Sequence, residues 1–142
     1  MIVLDTNVVS EPLKSNRDPR VLAWLDRQSI ETLFITAISL AELRYGVAVA
    51  PDGRRKERLS DAMENRVFAL FGPRVLHFDT SAATAYAAVR ARAKSVGAPM
   101  GVADAYIAAT VAAHGFTVAT RDTGPYEAAG VPVVNPWLAG SA

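Results

Sequence analysis

Cysteine is absent from the 142 residues. That excludes a disulfide framework and any thiolate metal site, and it fits a chain that works in a reducing cytoplasm. No long apolar run is present either. Asp5 interrupts the N-terminal apolar stretch, which also lacks a basic leader, and Arg90, Arg92, Lys94 and Asp104 break the alanine-rich region from Ala82 to Ala113. Neither a signal peptide nor a membrane span is therefore expected. Charge of one sign is not in excess: fifteen Lys and Arg against fourteen Asp and Glu leave a net of +1, which carries no argument about nucleic acid. The only histidines, His77 and His114, have no neighbour at metal or triad spacing and read as packing or helix-end residues.

Several α/β activities fall on missing letters. A dinucleotide site needs a glycine-rich turn after its first strand, where this chain has Thr6, Asn7 and Val8. The P-loop pattern is missing. An aspartyl-nucleophile phosphatase wants a second Asp two positions after the first, a place held by Asn7. A receiver-type domain wants a lysine on a late strand, and the only lysines are Lys14, Lys56 and Lys94.

What is present begins at Ile2, Val3 and Leu4, a short apolar strand that runs into Asp5, Thr6 and Asn7. Polar side chains thus collect at the strand's carboxyl end, where open α/β sheets bind ligands. Asp5 is a candidate site residue, with N-cap of the next helix as its alternative role. Further strands are expected at Leu33–Thr36, Val75–Phe78, Thr117–Thr120 and Val131–Val134. Helices are expected from Asp18–Pro19 to about Gln28, through Ile38 to Tyr45, from Arg54 to Leu70, from Asp79 to Gly97 and from Val102 to Ala113, with short pieces near Pro12 and Pro125. Strand and helix alternate throughout, which implies one domain over 1–142 with a mostly parallel sheet of about five strands and helices on both faces.

Arg54, Arg55, Lys56 and Arg58 form a basic cluster, but Glu57, Asp61 and Glu64 are interleaved at helical spacing, the pattern of a solvated helix face. Ser39 and Glu42 match a capping box, which would account for Glu42 without any function.

Two acids directly follow strands, Asp5 and Asp122, and two lie near helix starts, Glu42 and Asp104. Strand ends and the helix starts that follow them share one edge of a parallel sheet, so all four can meet in one crevice. Two carboxylates about 4 Å apart repel by roughly 4 kcal/mol at an effective dielectric near 20, so such a cluster calls for protons or a cation. Oxygen donors alone point to magnesium or manganese, and the chemistry that such a site supports is phosphodiester hydrolysis. Thr6, Asn7, Ser39, Thr120 and Thr123 are candidates to hold the carboxylates in place.

With these residues noted, the chain resembles the PIN-domain family, in particular VapC-type toxins and their FitB branch. The likeness rests on Leu4 to Asn7, Ser10 to Leu13, Ala41 to Arg44 with Gly46 to Ala48, Ala103 and Asp104 with Tyr106 to Thr110, Val118 to Gly124, and Asn135 to Trp137. The resemblance implies a PIN-like α/β/α sandwich around the sheet. It places an acidic quartet at Asp5, Glu42, Asp104 and Asp122, with Thr120 as the polar companion of the last acid. It further implies a Mg2+- or Mn2+-dependent endoribonuclease acting on RNA, a homodimer, and a small DNA-binding antitoxin as partner. Asp5, Asp104 and Asp122 would be the metal ligands, and Glu42 a ligand or the group that orients water. Arg44 and Arg121 are candidates for RNA phosphate contacts, with ion pairs to the quartet as the alternative. A rival expectation is a binding subunit that stabilises a DNA-bound ribbon-helix-helix repressor and uses its acidic pocket to dock a partner's arginine.

Overall fold

The computed structural model describes residues 1–138; the last four positions of the expected domain lie outside the described residues. Five strands, β1 (Ile2–Leu4), β2 (Leu33–Thr36), β3 (Val75–Leu76), β4 (Thr117–Ala119) and β5 (Val133–Val134), form one sheet in the order β3-β2-β1-β4-β5. Every pairing is parallel, with Ile2 opposite both Leu33 and Thr117. The chain moves outward in one direction from β1 to β3 and then returns to place β4 on the other side of β1. That reversal opens a crevice at the carboxyl ends of β1 and β4.

The helices are α1 (Thr6–Ser10), α2 (Pro19–Asp26), α3 (Ala37–Ala48), α4 (Arg54–Ala62), α5 (Ala69–Phe71), α6 (Thr80–Ser95), α7 (Val102–His114) and α8 (Gly124–Ala128). Strand residues alternate between the two faces of the sheet. Val3 and Val118 pack with Ala105, Ala108 and Val111 of α7 and with Val89 of α6. Leu4 and Ala119 point the other way, to Val8, Val21, Leu43, Met63 and Trp137. The sheet is therefore covered on both sides, as the resemblance implied.

Several local expectations are revised. Thr6–Ser10 is helical, too short a segment for apolar periodicity to reveal. Strand β3 stops at Leu76 because Phe78 leaves the sheet to pack against Tyr106 and Tyr86, with ring centroids 5.0 and 6.1 Å apart. The basic helix does not run unbroken: after α4 the backbone takes a π-wound turn over Met63–Phe68 before one last α-turn. The capping-box reading of Ser39 and Glu42 is overturned. Thr36 is the N-cap of α3, and its Oγ1 accepts from the Ser39 amide at 3.0 Å, which leaves Ser39 and Glu42 inside the helix.

Helix ends elsewhere follow simple rules. Asp79 caps α6 by accepting from the Ala82 amide at 3.0 Å, and Gly115 closes α7 at φ 67°, a left-handed turn that suits glycine. Ala82 and Ala93 of α6 are buried inside the chain, where the small side chains let α6 lie close against α7. Among the described residues, no helix is long and apolar enough to cross a membrane.

Candidate active site at the carboxyl edge of the sheet

Asp5 leaves β1 at the crevice and is 5% exposed. Its two candidate roles coincide. Oδ1 accepts from the Thr6 amide at 2.9 Å and so caps α1, while Oδ2 accepts from Thr120 Oγ1 at 2.9 Å. Thr120, fully buried just beyond β4, also accepts from the Asp122 amide at 3.2 Å and from Asn7 Nδ2 at 3.4 Å. Asn7 Oδ1 in turn accepts from the Arg121 amide at 3.3 Å. One hydroxyl thereby ties the ends of β1 and β4 together and sets the direction of the Asp5 carboxylate.

The other acids arrive on helices and on the loop after β4. Glu42 lies on α3, which follows β2. Asp104 lies in the first turn of α7, which feeds the parallel strand β4 and so begins at the carboxyl edge. Asp122 is exposed, Glu42 is exposed, and Asp104 is half-buried. Burial, with the charges of Asp5 and Asp104, raises the Glu42 carboxyl above its ordinary value. Burial, with the charges of Asp5 and Asp122, does the same to Asp104. The carboxylates therefore act on one another, which makes the crevice a candidate site.

Tyr126 is the residue that sequence reasoning missed. It begins as one more aromatic in a short helix after Gly124 and Pro125, with nothing in the letters to set it apart from core. Its ring is 1% exposed and its hydroxyl donates to Asp5 Oδ2 at 3.4 Å. Burial and the charges of Asp5, Asp104 and Glu42 all push its ionisation upward, so it remains a neutral donor facing the acids.

Other candidates sit differently. The Thr6 hydroxyl is 3.5 Å from Asp5 Oδ1. Ser39 is bonded to Thr36 rather than to an acid, and Thr123 stands at the start of α8, where its carbonyl accepts from the Glu127 amide. Neither of these two hydroxyls is hydrogen-bonded to one of the four carboxylates among the described residues. Arg44 pairs with Glu64 and lies 4.2 Å from the Phe68 ring centroid, so its ion pair is with an acid outside the quartet. Arg121 lies over Trp137 at 5.2 Å and forms no ion pair among the described residues.

The donor set fits a hard dication in its chemistry: oxygen ligands only, one of them orientated by three donors, two of them raised by burial and by their neighbours' charge. Among the described residues no three Asp, Glu or His side chains are grouped closely enough to hold an ion in common, a spacing that repulsion between ionised carboxylates favours.

A parallel five-stranded sheet with helices on both faces and a crevice at its switch point defines a doubly wound α/β protein. Residues 2–131 match the model of the PIN domain, and the chain belongs to that family. It is 53% identical over 137 residues to the VapC ribonuclease Y4jK of Sinorhizobium fredii, covering 96% of this chain and 98% of that protein. It is 49% identical to toxin FitB of Neisseria gonorrhoeae, again over 137 residues, covering 96% of this chain and 99% of that one. Among solved structures, FitAB bound to an IR36 DNA fragment contains a chain that superposes with a TM-score of 0.93 at 49% identity, with 96% of each chain covered.

Proposed function

We propose that this chain is a divalent-metal-dependent endoribonuclease, the toxin of a toxin–antitoxin pair, and that Asp5, Glu42, Asp104 and Asp122 are its working carboxylates. The observation that carries the reading is the gathering of acids at the carboxyl edge of β1 and β4: Asp5 and Asp122 share the buried Thr120 hydroxyl, and burial, with the charges of neighbouring acids, raises Glu42 and Asp104. Similarity to a VapC ribonuclease and to toxin FitB supports it.

Asp5, Asp104 and Asp122 would hold the ion. Bound Mg2+ or Mn2+ supplies positive charge for the oxygens of a phosphodiester under attack and acidity for water. Thr120, Tyr126 and the Thr6 amide keep the Asp5 carboxylate in one orientation, so little reorganisation is needed when substrate arrives. Glu42 is exposed beside that cluster with its pKa raised, which suits a group that accepts a proton from the attacking water. Arg121, next to Asp122 in sequence and free of an ion pair among the described residues, would meet a phosphate in this reading.

The partners follow from the same reading: an RNA substrate, a small DNA-binding antitoxin whose arginine enters the acidic crevice, and a second copy of the chain in a homodimer. A second reading is favoured by the FitAB complex on DNA. In it, the chain chiefly stabilises a repressor complex, and the acids serve as a dock. Incubating the purified free protein with total RNA in Mg2+, Mn2+ or EDTA separates the two: cleavage that EDTA abolishes supports the enzyme, and intact RNA under all three conditions supports the dock.

A further inference from the structure

A groove of about 1020 Å³ runs between the segment that follows α1 and the helices α3 and α4. Lys14 and Arg17 stand on one bank, Arg55, Arg58 and Arg66 on the other, and Glu42 is part of the lining. All five cations are exposed. The first bank is fixed from below: the Asp18 amide donates to Glu11 Oε1 at 3.0 Å, and Lys14 pairs with Glu11 Oε2 at 3.1 Å. Lys14 is thus already neutralised. Arg17, Arg55, Arg58 and Arg66 are in no ion pair among the described residues.

Glu64 is taken up by Arg44, and Lys56 pairs with Asp52 at 3.2 Å. Arg55 and Arg58, three residues apart, share the face of α4 that borders the groove. Asp61 also lines it as a carboxylate in no ion pair among the described residues, with its Oδ1 accepting from Asn65 Nδ2 at 2.6 Å. The lining thus carries four guanidinium groups that are in no ion pair among the described residues, against the carboxylates of Asp61 and Glu42, the second of which is one of the proposed working acids.

We propose that this groove seats the phosphodiester backbone of the RNA strand on its way to the cut, gripping phosphates through Arg17, Arg55, Arg58 and Arg66 without reading bases. The inference rests on the ribonuclease reading above. Guanidinium groups match phosphate oxygens two at a time, which makes arginine the fitting residue for this contact. Among the described residues no aromatic side chain lines the groove, so they offer no platform on which bases stack. Its hold is electrostatic and tolerant of sequence. Leu13, Leu43, Val47, Leu59 and Met63 lie in the lining as well, so an acidic amphipathic peptide is the rival occupant. Continuity with Glu42 and the four unpaired arginines favour the polyanion.

The test compares the parent with an Arg55→Glu/Arg58→Glu variant and with an Arg27→Glu/Lys94→Glu control that makes the same change in net charge on other surfaces. Fluorescein-labelled oligo(A) and oligo(U) are titrated in EDTA between about 50 and 200 mM salt, and RNA cleavage is followed separately in Mn2+. The parent is expected to bind both oligomers with similar affinity. The groove variant is expected to lose about tenfold in affinity, to show a salt slope shallower by about 1.4 (~0.7 per phosphate contact), and to raise KM by a similar factor, while the control keeps the parent's values. Unchanged affinity, slope and KM in a variant of a parent that does cut RNA would overturn the proposal. Loss of binding to a Glu-rich amphipathic peptide in that variant would then assign the groove to a protein. More than tenfold preference for one oligomer would overturn base-blind binding. A parent that cuts no RNA in Mn2+ overturns the ribonuclease reading itself.

Discussion

Thr120 donates its hydroxyl hydrogen to Oδ2 of Asp5 at 2.9 Å, across 115 residues of sequence and between the ends of two neighbouring strands. Thr120 Oγ1 itself accepts from the backbone amide of Asp122, so one buried hydroxyl sets the relation between two of the four acids. Thr120→Val keeps the shape and removes every one of these bonds. It is expected to cost about 1–3 kcal/mol in urea denaturation and to weaken Mn2+ binding by roughly tenfold in calorimetric titration. A variant as stable as the parent, with the parent's Mn2+ affinity, would show that the bridge orientates nothing.

Repulsion in the crevice makes stability depend on pH in a definite direction. Glu42 and Asp104 have folded pKa values raised above 4.5 and 3.8. Below those values both groups are protonated in the folded and the unfolded chain, and no penalty arises. As pH climbs past them the unfolded chain ionises first, and stability falls until the folded groups have ionised as well. Asp18, pulled down to about 2 by the Arg20 side chain, has the opposite slope, so the difference between variant and parent is the quantity to measure. Asp104→Asn should be more stable than the parent in EDTA at pH 7, with the gain vanishing near pH 3.5. Saturating Mn2+ should stabilise the parent by about 2.7 kcal/mol at one hundred times Kd and the variant by much less.

Tyr126→Phe removes one oxygen from a ring that stays in the core. The bond at 3.4 Å is long, so its loss should cost no more than about 1 kcal/mol. Asp5 then keeps its other donors but loses the one supplied by α8. Mn2+ affinity, read by electron paramagnetic resonance, is expected to fall several-fold with the thermal midpoint nearly unchanged. Equal Mn2+ affinity in the two proteins would make Tyr126 a packing residue only.

Much of this was legible in the letters because it depends on short-range chemistry. Apolar runs that stop at Asp5, Thr36 and Thr120 mark strands that deliver polar atoms to one edge, and the alternation with helices leaves few topologies open. The features that escaped depend on partners far away in sequence. Tyr126 looks like any core aromatic until the chain closes and brings it to Asp5. Arg44, next to a candidate acid but one, turns instead to Glu64 on the neighbouring helix. Phe78 has every mark of a strand residue, yet the rings of Tyr86 and Tyr106 draw it out of the sheet. The capping box at Ser39 failed because Thr36, three residues earlier, is the better-placed cap.

The central claim is tested most directly by cleavage of an end-labelled RNA with purified chain freed of any partner, comparing the parent with Asp5→Asn in Mg2+, Mn2+ and EDTA. Cleavage by the parent in either metal, its loss in EDTA and its recovery on adding metal back are the expected results, with Asp5→Asn inactive throughout yet folded by circular dichroism. Cutting that persists in EDTA, or an Asp5→Asn protein that cuts at the parent's rate, would contradict the account.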